Sequence, residues 1–314
     1  MNIVFVDADS IGEDIDLSGF NKLGDVTRYG YISEEEMPLK CKDADVIITN
    51  KNEINEKTTG NLEHLKLVCV TATGTNMLDK DYLARRNIEW RNVANYSTDS
   101  VAQHTFALLF FLLEKLSYYD NYVKSEKYVN DVLFTHFTNV YHNLSGMTWG
   151  IIGLGNIGRK VTEIARTFGC YVIYYSTSHA APQEGYEQVS FDELLQRSDI
   201  VSVHAPLNSQ TENLMNKEAF EKMKKSAIFI NVGRGQIVNE EDLAWALESG
   251  EIKAAGLDVL SKEPMTKDNP LRKIKDSEKL FITPHIAWAS LESRQRLMKI
   301  IEGQVKEFKE ANNI

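Results

Sequence analysis

An α/β architecture built on a doubly wound parallel sheet is predicted for this 314-residue chain by three observations. Short apolar runs alternate with helical patterns along most of its length, as βαβ units require. An apolar strand from Trp149 runs straight into a G-x-G-x-x-G turn at Gly153, Gly155 and Gly158, and a helical pattern follows from Asn156 to about Phe168. About half of the chain precedes that turn. A second globular unit therefore comes first, or is split around the unit that carries the turn.

In chain order, Ile3–Val6, Val46–Thr49 and Leu67–Val70 are apolar runs of buried-strand type, and Ile88–Val93 is a further strand candidate. The polar stretches Ser33–Lys42 and Asn55–His64 read equally as helices or loops, and Asn76–Asp79 opens a helical pattern that reaches Arg86. Ser100–Leu116 reads as a helix with Ser100 as its N-cap. The next stretch, Ser117–Ser145, is rich in Tyr, Asn and Phe and weakly periodic; it fits an arm or interface, or an irregular loop on its own domain. Strand candidates then recur at Gly150–Gly153, Tyr171–Tyr175, Ile200–His204, Ala227–Val232, Ala254–Val259 and Leu280–Thr283, with helical patterns between most of them. One long helix is expected from Ser290 to about Ala311.

Composition narrows the chemistry. A net charge of −10 argues against a nucleic-acid partner or an anionic membrane, and an anionic substrate would need a local cationic site. The three cysteines, Cys41, Cys69 and Cys170, are scattered without metal-ligand spacing, which predicts buried thiols in a reducing cytoplasm and no metal site. Met1–Asp7 does not read as a signal peptide, and the longest apolar segment, Phe106–Leu113, falls well short of a membrane span.

The glycine turn predicts a dinucleotide. Gly153 allows the tight turn, Gly155 lets backbone N–H groups approach a pyrophosphate, and Gly158 lets the helix pack closely on the strand. The helix N-terminus adds partial positive charge at the phosphates. In open parallel sheets ligands sit beyond the carboxyl ends of the strands, so those ends are where chemistry is sought. Three successive strands are followed by Arg234, Glu263 and His285. Arg234 stands between two glycines and can bind a carboxylate with its planar fork. A histidine is the natural acid–base group near neutrality, and a nearby carboxylate orients it and favours its charged form.

These residues resemble the D-isomer-specific 2-hydroxyacid dehydrogenases. The stretches that carry the resemblance are Ser100–His104, Gly150–Gly158, Val203–Leu207, Ile230–Gly235, Gly256–Val259 and Pro284–Trp288. The ending Pro284-His285-Ile286-Ala287-Trp288-Ala289-Ser290 is most similar to the glycerate dehydrogenase (hydroxypyruvate reductase) branch. The resemblance implies a Rossmann-type nucleotide domain, residues 99–288, inserted in a smaller flavodoxin-like substrate domain, residues 1–98 with 289–314. It implies catalytic roles for Arg234, Glu263 and His285, and substrate contacts from Thr73, Gly74, Thr75 and Trp288. For the cofactor it implies Gly153, Gly155, Asn156, Ile157, Gly158, Ser176, His204, Ala205, Pro206, Thr211, Val232, Gly233 and Asp258, the last positioning the nicotinamide carboxamide. A homodimer joined by an arm at Ser117–Ser145 is also implied.

The expected reaction is hydride transfer between a nicotinamide cofactor and a small D-2-hydroxy or 2-keto acid, with hydroxypyruvate or glyoxylate reduced to D-glycerate or glycolate. A D-lactate dehydrogenase-like enzyme and a dinucleotide-sensing corepressor-type protein are the alternatives. One position departs from the family. Ser176 stands where an Asp or Glu usually grips the adenosine ribose, so NAD is preferred only slightly and NADP stays open.

Overall fold

The computed structural model describes residues 1–178 and 181–313. Every strand pairing in it is parallel, and the strands form two separate sheets. The chain divides into two compact units, Met1–Ser97 with Ala289–Ile314, and Thr98–Trp288.

The first unit holds β1 (Asn2–Phe5), β2 (Asp25–Arg28), β3 (Val46–Thr49), β4 (Leu67–Val70) and β5 (Glu89–Arg91), in the order β2-β1-β3-β4-β5. Strands β3 and β4 are wholly buried, which matches their unbroken apolar sequence. The short helices α1 (Met37–Lys40), α2 (Glu56–Thr59) and α3 (Lys80–Arg85) lie between strands. Asn55 closes a capping box on α2, and Asp79 caps α3 by accepting from the Tyr82 amide. β2 was not expected. It is an edge strand of sequence Asp-Val-Thr-Arg, largely exposed, so it carries no apolar run to reveal it.

The second unit begins with α4 (Thr98–Leu113) and α5 (Leu116–Lys124). The sheet beyond them holds β6 (Thr148–Ile152), β7 (Tyr171–Tyr175), β8 (Glu187–Gln188), β9 (Ile200–Val203), β10 (Ile228–Asn231), β11 (Ala254–Leu257) and β12 (Leu280–Ile282). Between these strands lie α6 (Asn156–Thr167), α7 (Phe191–Arg197), α8 (Lys217–Lys222) and α9 (Glu240–Ser249). The strand order β12-β11-β10-β9-β6-β7-β8 reverses direction between β6 and β9, which makes their carboxyl ends the switch point of a doubly wound sheet. One face packs against Leu194, Phe220 and Leu243, and the other against α4 and α6 around the fully buried Trp149. β8 is a second polar edge strand that sequence periodicity missed.

Two expectations about the helices are corrected. Ser100 is not the cap of α4: the helix starts two residues earlier, and the Ser100 hydroxyl donates to the Ala287 carbonyl at 2.6 Å. The helix also stops at Leu113 rather than Leu116, because Lys115 takes a left-handed backbone (φ +57°) and its ammonium reaches Glu278 at 3.6 Å. Beyond α5 and a 3-10 turn at Tyr128–Asn130, residues 131–141 are irregular and largely exposed.

The final helix α10 (Leu291–Asn312) returns to the first unit. Ser290 caps it, and Leu297, Ile301, Val305 and Phe308 form its buried face. Its polar groups reach carbonyls of residues 1–97: Arg294 to Ile11 at 2.9 Å, Arg296 to Tyr96 at 2.9 Å, Gln304 to Asn92 at 2.9 Å and Lys309 to Leu23 at 2.8 Å. No helix among the described residues is long and apolar enough to cross a membrane.

Candidate active site

The glycine turn follows β6. Gly153 has φ +92°, and a Cβ there would come within 2.9 Å of the Ala205 backbone. A Cβ on Gly158 would sit 2.3 Å from the Gly153 carbonyl oxygen, so the α6–strand packing requires its absence. A Cβ on Gly155 would meet nothing within 4 Å. That open space belongs to a cavity of about 470 Å³ at the switch point, lined by Gly153, Gly155, Ser176, His204 and Pro206 among others. Gly155 is also the N-cap of α6 and leaves that helix end without a side-chain cap. A bare helix terminus facing an open cradle is what a pyrophosphate needs, so the residues present fit a dinucleotide.

The other expected cofactor residues fall into two groups. Ser176 follows β7, is buried, and places Oγ 3.4 Å from Ser178 Oγ. His204 follows β9 with Nε2 2.9 Å from Ser202 Oγ, which accepts from Trp149 Nε1 at 2.8 Å. Burial pushes the His204 pKa down to about 3, so the ring is neutral, and its Nδ1 has no partner among the described residues. Asn156 opens α6, and Ile157 and Val232 pack in the sheet core. Ala205 is buried against Gly153, and the Gly233 amide donates to Asn231 Oδ1 at 3.0 Å. Thr211 is fully buried, and its hydroxyl donates to the Pro206 carbonyl at 2.7 Å and accepts from the Asn208 amide at 2.8 Å, so it shapes the loop that carries Pro206.

Arg234, Glu263 and His285 all belong to this unit, past the ends of β10, β11 and β12. Glu263 Oε2 lies 2.7 Å from His285 Nδ1, and its Oε1 accepts from the Leu260 amide at 3.0 Å. With Nδ1 held by the carboxylate, Nε2 is the nitrogen left for proton transfer. Arg234 is extended, and one guanidinium N–H donates to the Gly233 carbonyl at 2.8 Å. The next residue, Gly235, packs so tightly on Leu260–Ser261 that any Cβ would overlap their backbone. The arginine turn is thus seated on the loop whose amide holds Glu263.

His285 sits in a left-handed conformation (φ +57°), which a histidine keeps only if its surroundings fix it. They do. Its amide donates to the Asp258 carbonyl at 2.8 Å, and its carbonyl accepts from Trp288 Nε1 at 3.0 Å. The buried Asp258 carboxylate accepts from Thr283 Oγ1 at 2.6 Å, the Ile286 amide at 2.8 Å and the Ala287 amide at 2.8 Å. Both oxygens of Asp258, the residue expected to position the nicotinamide carboxamide, engage the loop that carries His285. His104 was not anticipated as part of the site. Its Nε2 lies 2.9 Å from Thr283 Oγ1 and 3.5 Å from Asp258 Oδ1; burial lowers its pKa, against the opposing pull of the Asp258 charge. Only its position on α4, remote in sequence, hid it.

Thr73, Gly74 and Thr75 lie in the first unit, on the loop after β4. Thr73 Oγ1 donates to the Val93 carbonyl at 3.0 Å, and Asn92 Nδ2 donates to the Thr73 carbonyl at 2.7 Å. Among the described residues no group of three or more His, Cys, Asp or Glu side chains could hold a metal ion.

Comparison with known proteins agrees with this geometry. Residues 106–287 match the sequence profile described as "D-isomer specific 2-hydroxyacid dehydrogenase, NAD binding domain". A hydroxypyruvate reductase from Blautia hydrogenotrophica is 36% identical over 314 residues, covering 98% of this chain and 97% of that protein. Among solved structures, an acyclic imino acid reductase in complex with NADPH and D-arginine superposes with TM-score 0.86 at 29% identity, covering 98% of this chain and 97% of that one. A D-lactate dehydrogenase from Aquifex aeolicus, complexed with NAD and lactic acid, superposes with TM-score 0.84 at 26% identity, covering 99% and 96%.

Proposed function

The chain belongs to the D-isomer specific 2-hydroxyacid dehydrogenase family, near its glycerate dehydrogenase branch, and from that premise we propose that it reduces hydroxypyruvate or glyoxylate to D-glycerate or glycolate. It is an oxidoreductase that uses a nicotinamide cofactor. The observation that carries the hydride-transfer reading is the 2.7 Å Glu263–His285 pair, knit through Leu260 to the Arg234 turn, and similarity to a hydroxypyruvate reductase supports the choice of substrate.

When bound, the reduced nicotinamide supplies a hydride to C2 of the keto acid. Arg234 binds the substrate carboxylate and draws electron density from the keto oxygen. On the strength of the family resemblance, the backbone of Thr73–Thr75 in the first unit and the Trp288 ring are assigned to the same substrate. His285 gives its Nε2 proton to the developing alkoxide oxygen and takes it back in the oxidative direction. Glu263 holds Nδ1 so that Nε2 is presented, and Asp258 fixes the backbone from which the ring projects. The cofactor is NAD or NADP. The family profile is described as NAD binding, whereas one structural neighbour is complexed with NADPH.

Initial rates with hydroxypyruvate, glyoxylate and pyruvate, each with NADH and NADPH, test this reading. Hydroxypyruvate or glyoxylate should give the highest kcat/KM. A clear preference for pyruvate would transfer the assignment to D-lactate chemistry, and no turnover of any keto acid would favour a dinucleotide-sensing protein of the corepressor type.

A homodimer is part of the proposal. Beyond α5 the chain exposes Val132 (99%), Phe134 (90%) and Phe137 (71%) within a few residues, which is more apolar surface than an isolated chain gains by showing. Light scattering should report twice the monomer mass. Three buried, unpaired thiols support a reducing, cytoplasmic setting.

A further inference from the structure

The sequence after β7 offers no Arg or Lys close behind Ser176, but the fold brings one from α6. Arg159 follows Gly158, and its guanidinium donates to Gln183 Oε1 at 3.2 Å, to the Leu154 carbonyl at 3.4 Å and to Asn156 Oδ1. All three acceptors are neutral, so they orient the planar fork without offsetting its charge. Arginine has five N–H donors, and these contacts leave some of them available. Leu154 and Gln183 line the same 470 Å³ cavity as Ser176, Thr177 and Ser178. One wall of that cavity therefore carries three hydroxyl-bearing residues, and at its border an oriented cation with no acidic partner among the described residues, in a chain of net charge −10.

We propose that Arg159, with the hydroxyls of Ser176, Thr177 and Ser178, forms a subsite for a phosphate on the adenosine ribose, so that the cavity accepts the 2′-phosphorylated dinucleotide. The inference rests on the dinucleotide reading of the same cavity. In a doubly wound sheet the residue after the second strand meets the adenosine ribose hydroxyls. An acidic residue there would repel a 2′-phosphate, whereas Ser176 does not. The three hydroxyls donate to phosphate oxygens, and the guanidinium supplies charge-assisted bonds that a hydroxyl cannot. Arg159 is thus a specificity-determining residue, and it lies before Ser176 in the chain.

The test measures binding of two adenosine fragments, 2′,5′-ADP and 5′-AMP, by titration calorimetry to the full chain, to Arg159→Gln and to Arg159→Lys. The wild type should bind 2′,5′-ADP at least roughly tenfold more tightly than 5′-AMP, one or two charge-assisted bonds being enough for that factor. Arg159→Gln should abolish the difference by weakening 2′,5′-ADP alone, and Arg159→Lys should restore part of it. Unchanged melting temperatures show that both variants fold. Equal weakening of both fragments would overturn the proposal, because Arg159 would then serve the shared part of the ligand. Equal affinities in the wild type would overturn it as well. Failure of the wild type to bind either fragment would instead overturn the nucleotide assignment of the cavity, and the proposal with it.

Discussion

Replacing Arg234 by Met removes the cation assigned to the substrate carboxylate while keeping an unbranched stem. The size of the effect comes from the geometry. One N–H is held by the Gly233 carbonyl at 2.8 Å, which leaves the rest of the fork for a two-point contact. Two hydrogen bonds to a charged partner contribute about 1.5–3 kcal/mol each. Arg234 is only half-buried, so water screens part of this, and about 3–4 kcal/mol of transition-state binding should be lost. At about 1.36 kcal/mol per decade, kcat/KM for hydroxypyruvate should fall roughly 200- to 1,000-fold. The assay is steady-state oxidation of the reduced nicotinamide, with cofactor affinity followed separately by quenching of tryptophan fluorescence. Cofactor affinity should survive, because the glycine turn and its cavity lie at other strand ends. Near-native turnover in a folded variant would refute the carboxylate role, and parallel loss of cofactor affinity would show that Arg234 serves the dinucleotide instead.

His285→Ala should remove most turnover, by about two to four orders of magnitude in kcat, with cofactor affinity retained; a mild loss would mean that another group moves the proton. Glu263→Gln keeps a partner for Nδ1 but exchanges a charge-assisted bond for a neutral one, so kcat for reduction should fall about tenfold, and an unchanged kcat would deny that the 2.7 Å contact matters. Ser176→Asp should raise the ratio of kcat/KM for NADH over NADPH, mainly through a poorer NADPH KM; a constant ratio would mean that Ser176 is not at the ribose. Burial pushes the thiols of Cys41 and Cys69 up to about 12 and that of Cys170 up to about 11. At pH 8 their thiolate fractions are then roughly one in ten thousand and one in a thousand. A thiol-disulfide reagent should label none of them in the folded protein and all three in denaturant, and a fast-reacting thiol in the native state would contradict that burial.

Much of the fold is legible in the sequence because local chemistry and global architecture agree at those places. The apolar runs of β3, β4, β9 and β10 are buried on both sides, so their sequences carry the signal without ambiguity. The glycine turn can be read residue by residue, since each glycine answers a separate steric demand. Arg234, Glu263 and His285 are legible because each lies just past the carboxyl end of a strand, where a parallel sheet gathers its ligands. Edge strands escape because β2 and β8 pair on one side only and need no apolar alternation. The hydroxyl of Ser100 looks like a cap, but the Ala287 carbonyl, remote in sequence, claims it. Asp258, His104 and Arg159 share a cause: their partners come from other elements, and no spacing rule joins residue 104 to 283 or 159 to 183.

The path of the chain has a consequence for how the protein is made. The five strands of the first unit have all been synthesised by Arg91, yet the helix that buries Leu297, Ile301, Val305 and Phe308 among them, and reaches the carbonyls of Ile11, Leu23 and Tyr96, leaves the ribosome only after the whole second unit. Roughly 200 residues intervene, and at about 5–20 residues per second the gap is roughly 10–40 s. The second unit is continuous in sequence and can complete its core within that interval. The first unit must hold an unfinished apolar surface open for the same time, which makes the nascent chain a client for chaperones at its N-terminal half. Truncation before Leu291 would accordingly strand the unit that was synthesised first, and leave the later one whole.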